Sequence, residues 1–451
     1  MRRDDPLIPL ALQLLAITHA TVIDMTGAPP RRDLTVLADG ARITAVGASS
    51  KVGIPANARV IDARGKYLIP GLWDMHVHTD VPGIDGRGFL GLYVANGVTG
   101  VRDMGGDWAH IRAWRSEIVA GTLAGPRIVA SGPYLNGVPV SIPHFEVHTP
   151  AEGVRAVDSL AAMGVDFVKM HSRVPRAAVF AALREAKAKH LAVGGHVSLG
   201  VTVEEVSDSG QKSLEHLLGF INTCTNADSA RFAAADAFIR TVFGACTSRD
   251  QADVYRHLAR NGTWVTPTLT AAWEFAILPS TALPADSLAH YVPDSMRGFW
   301  RDGVGAPQHL LPSAEALGRA LFAKRLRLVG ALHAAGVPLL PGTDAPLRNS
   351  TPGFGLHEEL AYFVQAGLTP MEALRSATSS AARYLDALDS LGTIEPGKLA
   401  DLVLLDADPL SDIRNTRRIA IVVMGGRVYD PAARRALFDA AKSAAGHGTP
   451  R

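Results

Sequence analysis

Asp74-Met75-His76-Val77-His78 sets two imidazoles two residues apart in an apolar run. Alternate residues of a β-strand share a face, so His76 and His78 would point the same way and could ligate one metal ion. Two histidines on a strand edge also arise by chance, so this pair alone decides nothing. His196 follows Val193-Gly194-Gly195, His216 follows Ser213-Leu214-Glu215, and Asp344 follows Pro341-Gly342-Thr343. Each is a polar group at the carboxyl end of an otherwise apolar candidate strand, where barrel active sites sit. A charge or imidazole buried there is costly without a partner. Lys169, inside Phe167-Val168-Lys169-Met170, is the most telling single residue. A lysine in an apolar strand snorkels from the rim, pairs with an acid, or loses its proton. A deprotonated amine can take up CO2 and become N6-carboxylysine, a carboxylate-like group able to bridge two metal ions.

The elements that would hold these groups alternate in type. Candidate strands are Leu72–His76, Gly100–Asp103, Arg127–Ser131, Phe167–Met170, Ala192–His196, Ser213–His216, Trp264–Pro267 and Pro338–Thr343, with helical stretches between them. Eight βα units predict a closed (β/α)8 TIM barrel, of the α/β class, over residues 71–390. Thr369-Pro370-Met371-Glu372 is a capping box with proline at the first helical position, opening a helix to about Leu385. Short strands occupy the first 70 residues, with a hairpin signal at Asp39-Gly40. A matching patch near the other end comprises Leu399–Leu405 and two strands flanking Gly425-Gly426. Neither patch is large enough to fold alone. Residues 1–70 and 391–451 are therefore expected to pair into one small β-sandwich domain with a helical C-terminal tail.

His76-x-His78, Lys169, His196, His216 and Asp344 resemble the ordered metal set of the amidohydrolase superfamily, in its two-metal members with a carbamylated lysine. Pro70-Gly71-Leu72-Trp73-Asp74, Gly97-Val98-Thr99-Gly100-Val101-Arg102-Asp103, Gly342-Thr343-Asp344 and Gly397-Lys398-Leu399-Ala400-Asp401-Leu402-Val403 are similar to its imidazolonepropionase-like branch, which includes metal-dependent dipeptidases, carboxypeptidases and ochratoxinases. The resemblance runs from about Leu15 to Tyr429. It implies two divalent ions, of the Zn2+ type. His76 and His78 would hold the more buried ion with Asp344, His196 and His216 the outer one, and N6-carboxylated Lys169 would bridge them. It further implies attack by a metal-bridging hydroxide, with Asp344 moving the proton and Lys169 and His216 sharing the catalytic centre. Substrate is left open by it. An amide of a dipeptide or N-acyl amino acid leads; a carbamate, urea, lactone or ester is the alternative, and a non-catalytic binding protein on a barrel scaffold is remote.

Other groups are less specific. Arg102-Asp103 reads as a rim ion pair. Tyr134 and His144, with His148, lie in a Pro- and Gly-rich loop that can reach a substrate. The loop Ala271–Pro312 is long and carries Trp273, Phe275, Tyr291, Phe299 and Trp300, which either line an apolar pocket or pack the loop down. Arg297 in it is a candidate carboxylate anchor. The 451 residues are 47% apolar and 20% charged with a net charge of +2 and no basic stripe, which argues against nucleic acid as a partner. Two cysteines, Cys224 and Cys246, make no disulfide framework. Pro6–Ile17 is apolar behind Arg2 and Arg3, but Asp4 and Asp5 spoil a signal-peptide reading. No run is long enough to span a membrane. A cytoplasmic homo-oligomer acting on a small molecule is the expectation.

Overall fold

The computed structural model describes residues 14–83, 86–220, 251–272, 288–293, 295–298, 312–346 and 350–446. Cys224, Cys246, Trp273, Phe275, Phe299, Trp300 and the Arg2–Asp5 segment lie outside them. The N-terminal part forms β1 (Leu14–Val22), β2 (Arg31–Asp39), β3 (Arg42–Ala48), β4 (Arg59–Asp62) and β5 (Tyr67–Pro70). The central part adds β6 (Leu72–Val77), β7 (Val98–Asp103), β8 (Arg127–Ala130), β9 (Tyr134–Asn136), β10 (His144–Glu146), β11 (Phe167–Met170), β12 (Ala192–Gly195), β13 (Gln211–Glu215) and β14 (Trp264–Thr266). The C-terminal part contributes β15 (Leu402–Leu405), β16 (Ile419–Met424) and β17 (Arg427–Tyr429).

The two ends do pair, in one continuous eight-stranded sheet ordered β17-β16-β15-β5-β1-β2-β3, with β4 beside β1. Strand alternation explains how this sheet joins the rest. Leu402 and Leu404 of β15 and Leu68 of β5 enter a small core, whereas Val403, Leu405 and Ile69 enter the main one. Gly425 and Gly426 both have positive φ, +55° and +80°, as the two-residue hairpin between β16 and β17 requires.

The central strands are parallel, and β6, β7, β9, β11 and β14 are buried throughout. They form a six-stranded sheet, β10-β9-β11-β12-β13-β14, and a three-stranded one, β6-β7-β8. Helices follow them in βα order: Leu90–Ala95, Trp108–Ala120, Pro150–Met163, Arg176–Ala188, Val203–Asp208 and Gln251–Asn261. The closed barrel expected from sequence is not present as one continuous ladder among the described residues, and the reasons are local. Between β8 and β11, Asp166 N donates to Ala130 O, while the Asp166 carboxylate takes the Ala130 N–H at 2.8 Å and replaces a strand carbonyl. The eighth candidate strand, Pro338–Thr343, has no N–H at Pro338 or Pro341 and survives as one isolated bridge, Val265 to Leu339, with another, Val77 to Ala345, just beyond it. Backbone bonds still tie it to both neighbours: Val265 N to Pro338 O, and Met75 N to Pro341 O. The helix expected from Thr369 to about Leu385 is two helices, Pro370–Ser376 and Ser379–Tyr384. Thr378, at φ −131° and ψ −96°, turns its hydroxyl onto Leu374 O and breaks the run. The capping box at Thr369 and Glu372 is formed.

Candidate metal centre

His76 is buried on β6 and His78 stands just beyond its end; both rings turn toward the segment after Gly342. That segment lies very close, since a Cβ on Gly342 would fall 2.6 Å from His76 Cβ. Asp344 N donates to His76 O at 2.8 Å. Asp344 Oδ1 comes 3.3 Å from His76 Nε2 and 3.3 Å from His78 Nε2. His216 follows β13, and its ring centroid lies 4.4 Å from that of His76 and 4.8 Å from that of His196. Ligand atoms of His76, His216 and Asp344 all fall within 4.8 Å of one another, a grouping able to hold a metal ion that cuts across the two ligand sets expected from sequence. His196 follows Gly195, whose φ of +137° leaves no room for a Cβ against Met170 O at 2.1 Å. Lys169 on β11 is buried among these groups. Asp344 and His216 hold left-handed backbone at φ +59° and +61°, a strained state that clusters at functional sites.

Each of the four imidazoles is fixed through Nδ1. His76 faces Glu215 Oε2 at 2.9 Å, His78 faces Gly105 O at 3.0 Å, His196 faces Ser172 Oγ at 2.6 Å, and His216 faces Thr268 Oγ1 at 2.8 Å. The Nε2 atoms are thereby left to face inward, the arrangement of metal-ligating histidines. His76 Nε2, Lys169 Nζ and Asp344 Oδ1 are buried with no hydrogen-bond partner. Buried polar atoms without partners, brought together in this way, fit the binding of a metal cation better than they fit a finished core.

Burial holds His196 and His216 well below the usual histidine value, so both rings are neutral and able to ligate. Burial likewise brings the Lys169 amine down to about 8, against the pull of Glu215 and Asp344 and with help from Arg102. Burial would raise Asp344, but His216, His76 and His78 hold it well below the ordinary carboxylate range.

Arg102 corrects the sequence reading. It does not pair with Asp103 at a rim but is wholly buried, with Nη2 2.9 Å from Glu215 Oε1. Asp103 instead accepts from Thr79 N and Oγ1 and from Gly105 N, closing the turn beyond β6. Tyr134 is buried on β9 between His144 and His171, with ring centroids at 6.0 Å and 4.9 Å, and His171 in turn lies 4.3 Å from His196. The stack thus runs outward from His196 through His171 and Tyr134 to His144. Tyr291 goes elsewhere: it stacks on Phe354 at 5.6 Å and meets Phe438 of the C-terminal helix at 5.5 Å. Arg297 is half-buried on a short helical turn, its N–H bonded to Pro293 O. His171, Ser172, Thr268, Glu215 and Arg325, whose Nη1 donates to His216 O at 3.2 Å, were not legible from sequence. Glu215 had no clear signal, because its strand, Gln211–Glu215, is polar at four of five positions.

Similarity to known proteins makes the chain a hydrolase acting on carbon–nitrogen bonds. The chain belongs to the amidohydrolase family, which it matches over residues 67–429, in the imidazolonepropionase-like branch. It is 26% identical to the imidazolonepropionase of Caulobacter vibrioides over 398 residues, 85% of this chain and 91% of that protein. With the imidazolonepropionase of Rhizorhabdus wittichii it shares 36% identity over 132 residues, 28% of this chain and only 31% of that one. Among solved structures, a bottromycin amidohydrolase has the same fold with a TM-score of 0.75 at 23% identity, covering 96% of this chain and 91% of that one. The ochratoxinase of A. niger superposes with a TM-score of 0.67 at 19% identity, covering 93% and 96%. No helix among the described residues is long and apolar enough to cross a membrane.

Proposed function

We propose that the chain hydrolyses an amide bond of a peptide or N-acyl amino acid, using two divalent ions of the Zn2+ type. In this reading His76, His78 and Asp344 hold one ion, His196 and His216 the other, and Lys169, as N6-carboxylysine, joins them. The central strands with segment 338–343 are read as a (β/α)8 barrel over residues 71–390, and residues 1–70 and 391–451 as the smaller domain. The observation that carries the proposal is the meeting of three partnerless buried atoms, His76 Nε2, Lys169 Nζ and Asp344 Oδ1, at the ends of parallel strands. Lys169 suits carbamylation because its amine is free to react at a pH near 8.

Two divalent ions bound there would supply an activated water and a polarised carbonyl. The chain itself must hold and move protons. Asp344, ionised and beside both His76 and His78, sits where it can take the proton of the attacking water and pass it to the leaving nitrogen. One C–N bond breaks, one C–O bond forms, and the nitrogen leaves as an amine. Tyr134, stacked on His171, and His144, stacked on Tyr134, are assigned to the substrate. Arg297, on the segment after β14, is assigned to its outer part as an anchor for a free carboxylate, whereas Tyr291, packed on Phe354 and Phe438, is not assigned to the substrate.

The test is kcat/KM of zinc-loaded enzyme on matched N-acyl phenylalanine acid and amide pairs. A bidentate arginine–carboxylate contact of about 1.5–3 kcal/mol gives the acids an advantage of roughly ten- to a hundredfold, which Arg297→Ala erases. Neutral substrates cleaved as well as acids would shift the assignment to a carbamate, urea or lactone. No turnover of any of them would favour a binding protein.

A further inference from the structure

We infer that the buried Arg102–Glu215 pair is a positioning device for His76, gripping that residue by its ring and by the backbone just before it. The inference rests on the reading of His76 as a metal ligand. Glu215 Oε2 lies 2.9 Å from His76 Nδ1. Arg102 Nη2 donates to both oxygens of Glu215, at 2.9 Å and 3.0 Å, and Ser213 Oγ donates to Oε1 at 2.6 Å. The same guanidinium reaches the backbone, its Nε donating to Met75 O at 2.6 Å. Met75 is the residue before His76. One side chain of β7 therefore holds the peptide that carries His76 and, through Glu215, the imidazole itself.

Arg102 is held as firmly as it holds. Its Nη1 donates to Ser213 Oγ at 2.9 Å and Tyr384 Oη at 2.7 Å, and Nη2 also reaches Thr266 Oγ1 at 3.2 Å. Its guanidinium lies 4.8 Å from the Tyr384 ring centroid and 5.7 Å from that of Phe167. Contacts to β6, β11, β13 and β14 from one residue of β7 make it a cross-brace beneath the centre.

Stability alone does not account for this pair. Replacing a buried ion pair by apolar residues of similar volume is often neutral or stabilising, so its presence is weak evidence for a purely structural role. What the pair does that apolar residues cannot is fix a proton. A carboxylate at Nδ1 keeps the hydrogen there and leaves the Nε2 lone pair free, 3.3 Å from Asp344. His78, His196 and His216 face only a carbonyl or a hydroxyl at Nδ1, so His76 alone of the four has a charged anchor.

The experiment compares wild type with Arg102→Met/Glu215→Leu, which removes both charges together. The readouts are zinc affinity against a competing chelator, thermal melting, and the 15N shifts of His76 in metal-free protein. The expected result is a cooperatively folded variant that binds zinc about 10–100-fold more weakly. Its His76 proton should move from Nδ1 toward Nε2, and activity should recover when zinc is raised to saturation. A folded variant with wild-type zinc affinity and the proton still on Nδ1 overturns the inference. If the double variant does not fold, Glu215→Gln serves, since it keeps an acceptor oxygen but not the charge. An intermediate affinity then supports the role, and an unchanged one overturns it. A wild type that takes up no zinc overturns the metal centre proposed above, and the His76 proton then decides the positioning role by itself.

Discussion

In the terminal eight-stranded sheet, residues such as Leu402, Val403, Leu404 and Leu405 alternate between two apolar cores. Its ion pairs, Arg31–Asp24 and Arg64–Asp62 among them, have their arginines in solvent. At the ends of β6, β11, β12 and β13 the terms reverse. There, three buried imidazoles and a buried lysine converge with the partly buried His216 and Asp344, these two on left-handed backbone, and three buried polar atoms have no hydrogen-bond partner. Left-handed backbone is not what separates them, since His19 and Asp33 of the terminal sheet also have positive φ. A region built for stability satisfies its buried polar groups, and one that leaves such atoms unmet does so where something else is to bind.

Substitutions should separate the two regions, and the largest effect on rate belongs to the centre. Asp344→Asn keeps the fold and much of the metal but loses the proton transfer, so kcat should fall about 10²–10⁴-fold. A wild-type rate at any pH from that variant would remove Asp344 from the chemistry. Lys169→Ala should lose the bridge between the ions and nearly all turnover, with metal content falling alongside. Short carboxylic acids should restore part of both, and normal metal content in this variant would make the lysine structural.

A smaller effect follows from pH. A lysine lowered to about 8 loses its proton as pH rises through that value. CO2 reacts with the free amine, so at a constant concentration of dissolved CO2 the activation of metal-free enzyme by CO2 and zinc should quicken about tenfold from pH 7 to pH 9 and then level off. Activation that is flat or slows over that range contradicts the carbamylation reading. In the terminal sheet the expected signs exchange. Leu404→Ala, in the small core, should cost about 2–5 kcal/mol of stability while leaving zinc affinity and kcat unchanged. Arg64→Ala, on the solvent side, should move neither melting temperature nor rate. If Leu404→Ala lowered zinc affinity in the folded protein, the two regions would not be separable as described.

Much of this contrast was legible in the sequence. The strands carrying His76, Lys169, His196 and His216 stand where the apolar runs placed them, because a fully buried parallel strand writes its polar exceptions plainly. The pairing of the two ends was legible too, since neither patch could bury its faces alone. What was not legible depends on register between distant segments. Ser172 and Thr268 are ordinary hydroxyl residues until strand ends bring them to His196 and His216. Arg102 seemed paired with its neighbour Asp103, yet side chains adjacent in a strand point to opposite faces, and Arg102 reaches Glu215 across the interior. The broken ladder at Pro338–Thr343 is a matter of missing N–H groups, which strand patterning does not weigh.

The most direct measurement is the metal content of active, purified enzyme, taken by elemental analysis beside its specific activity. The account predicts close to two zinc-type ions per chain, with turnover lost on chelation and regained as the second ion returns. Full activity with one ion per chain, or with none, would contradict it.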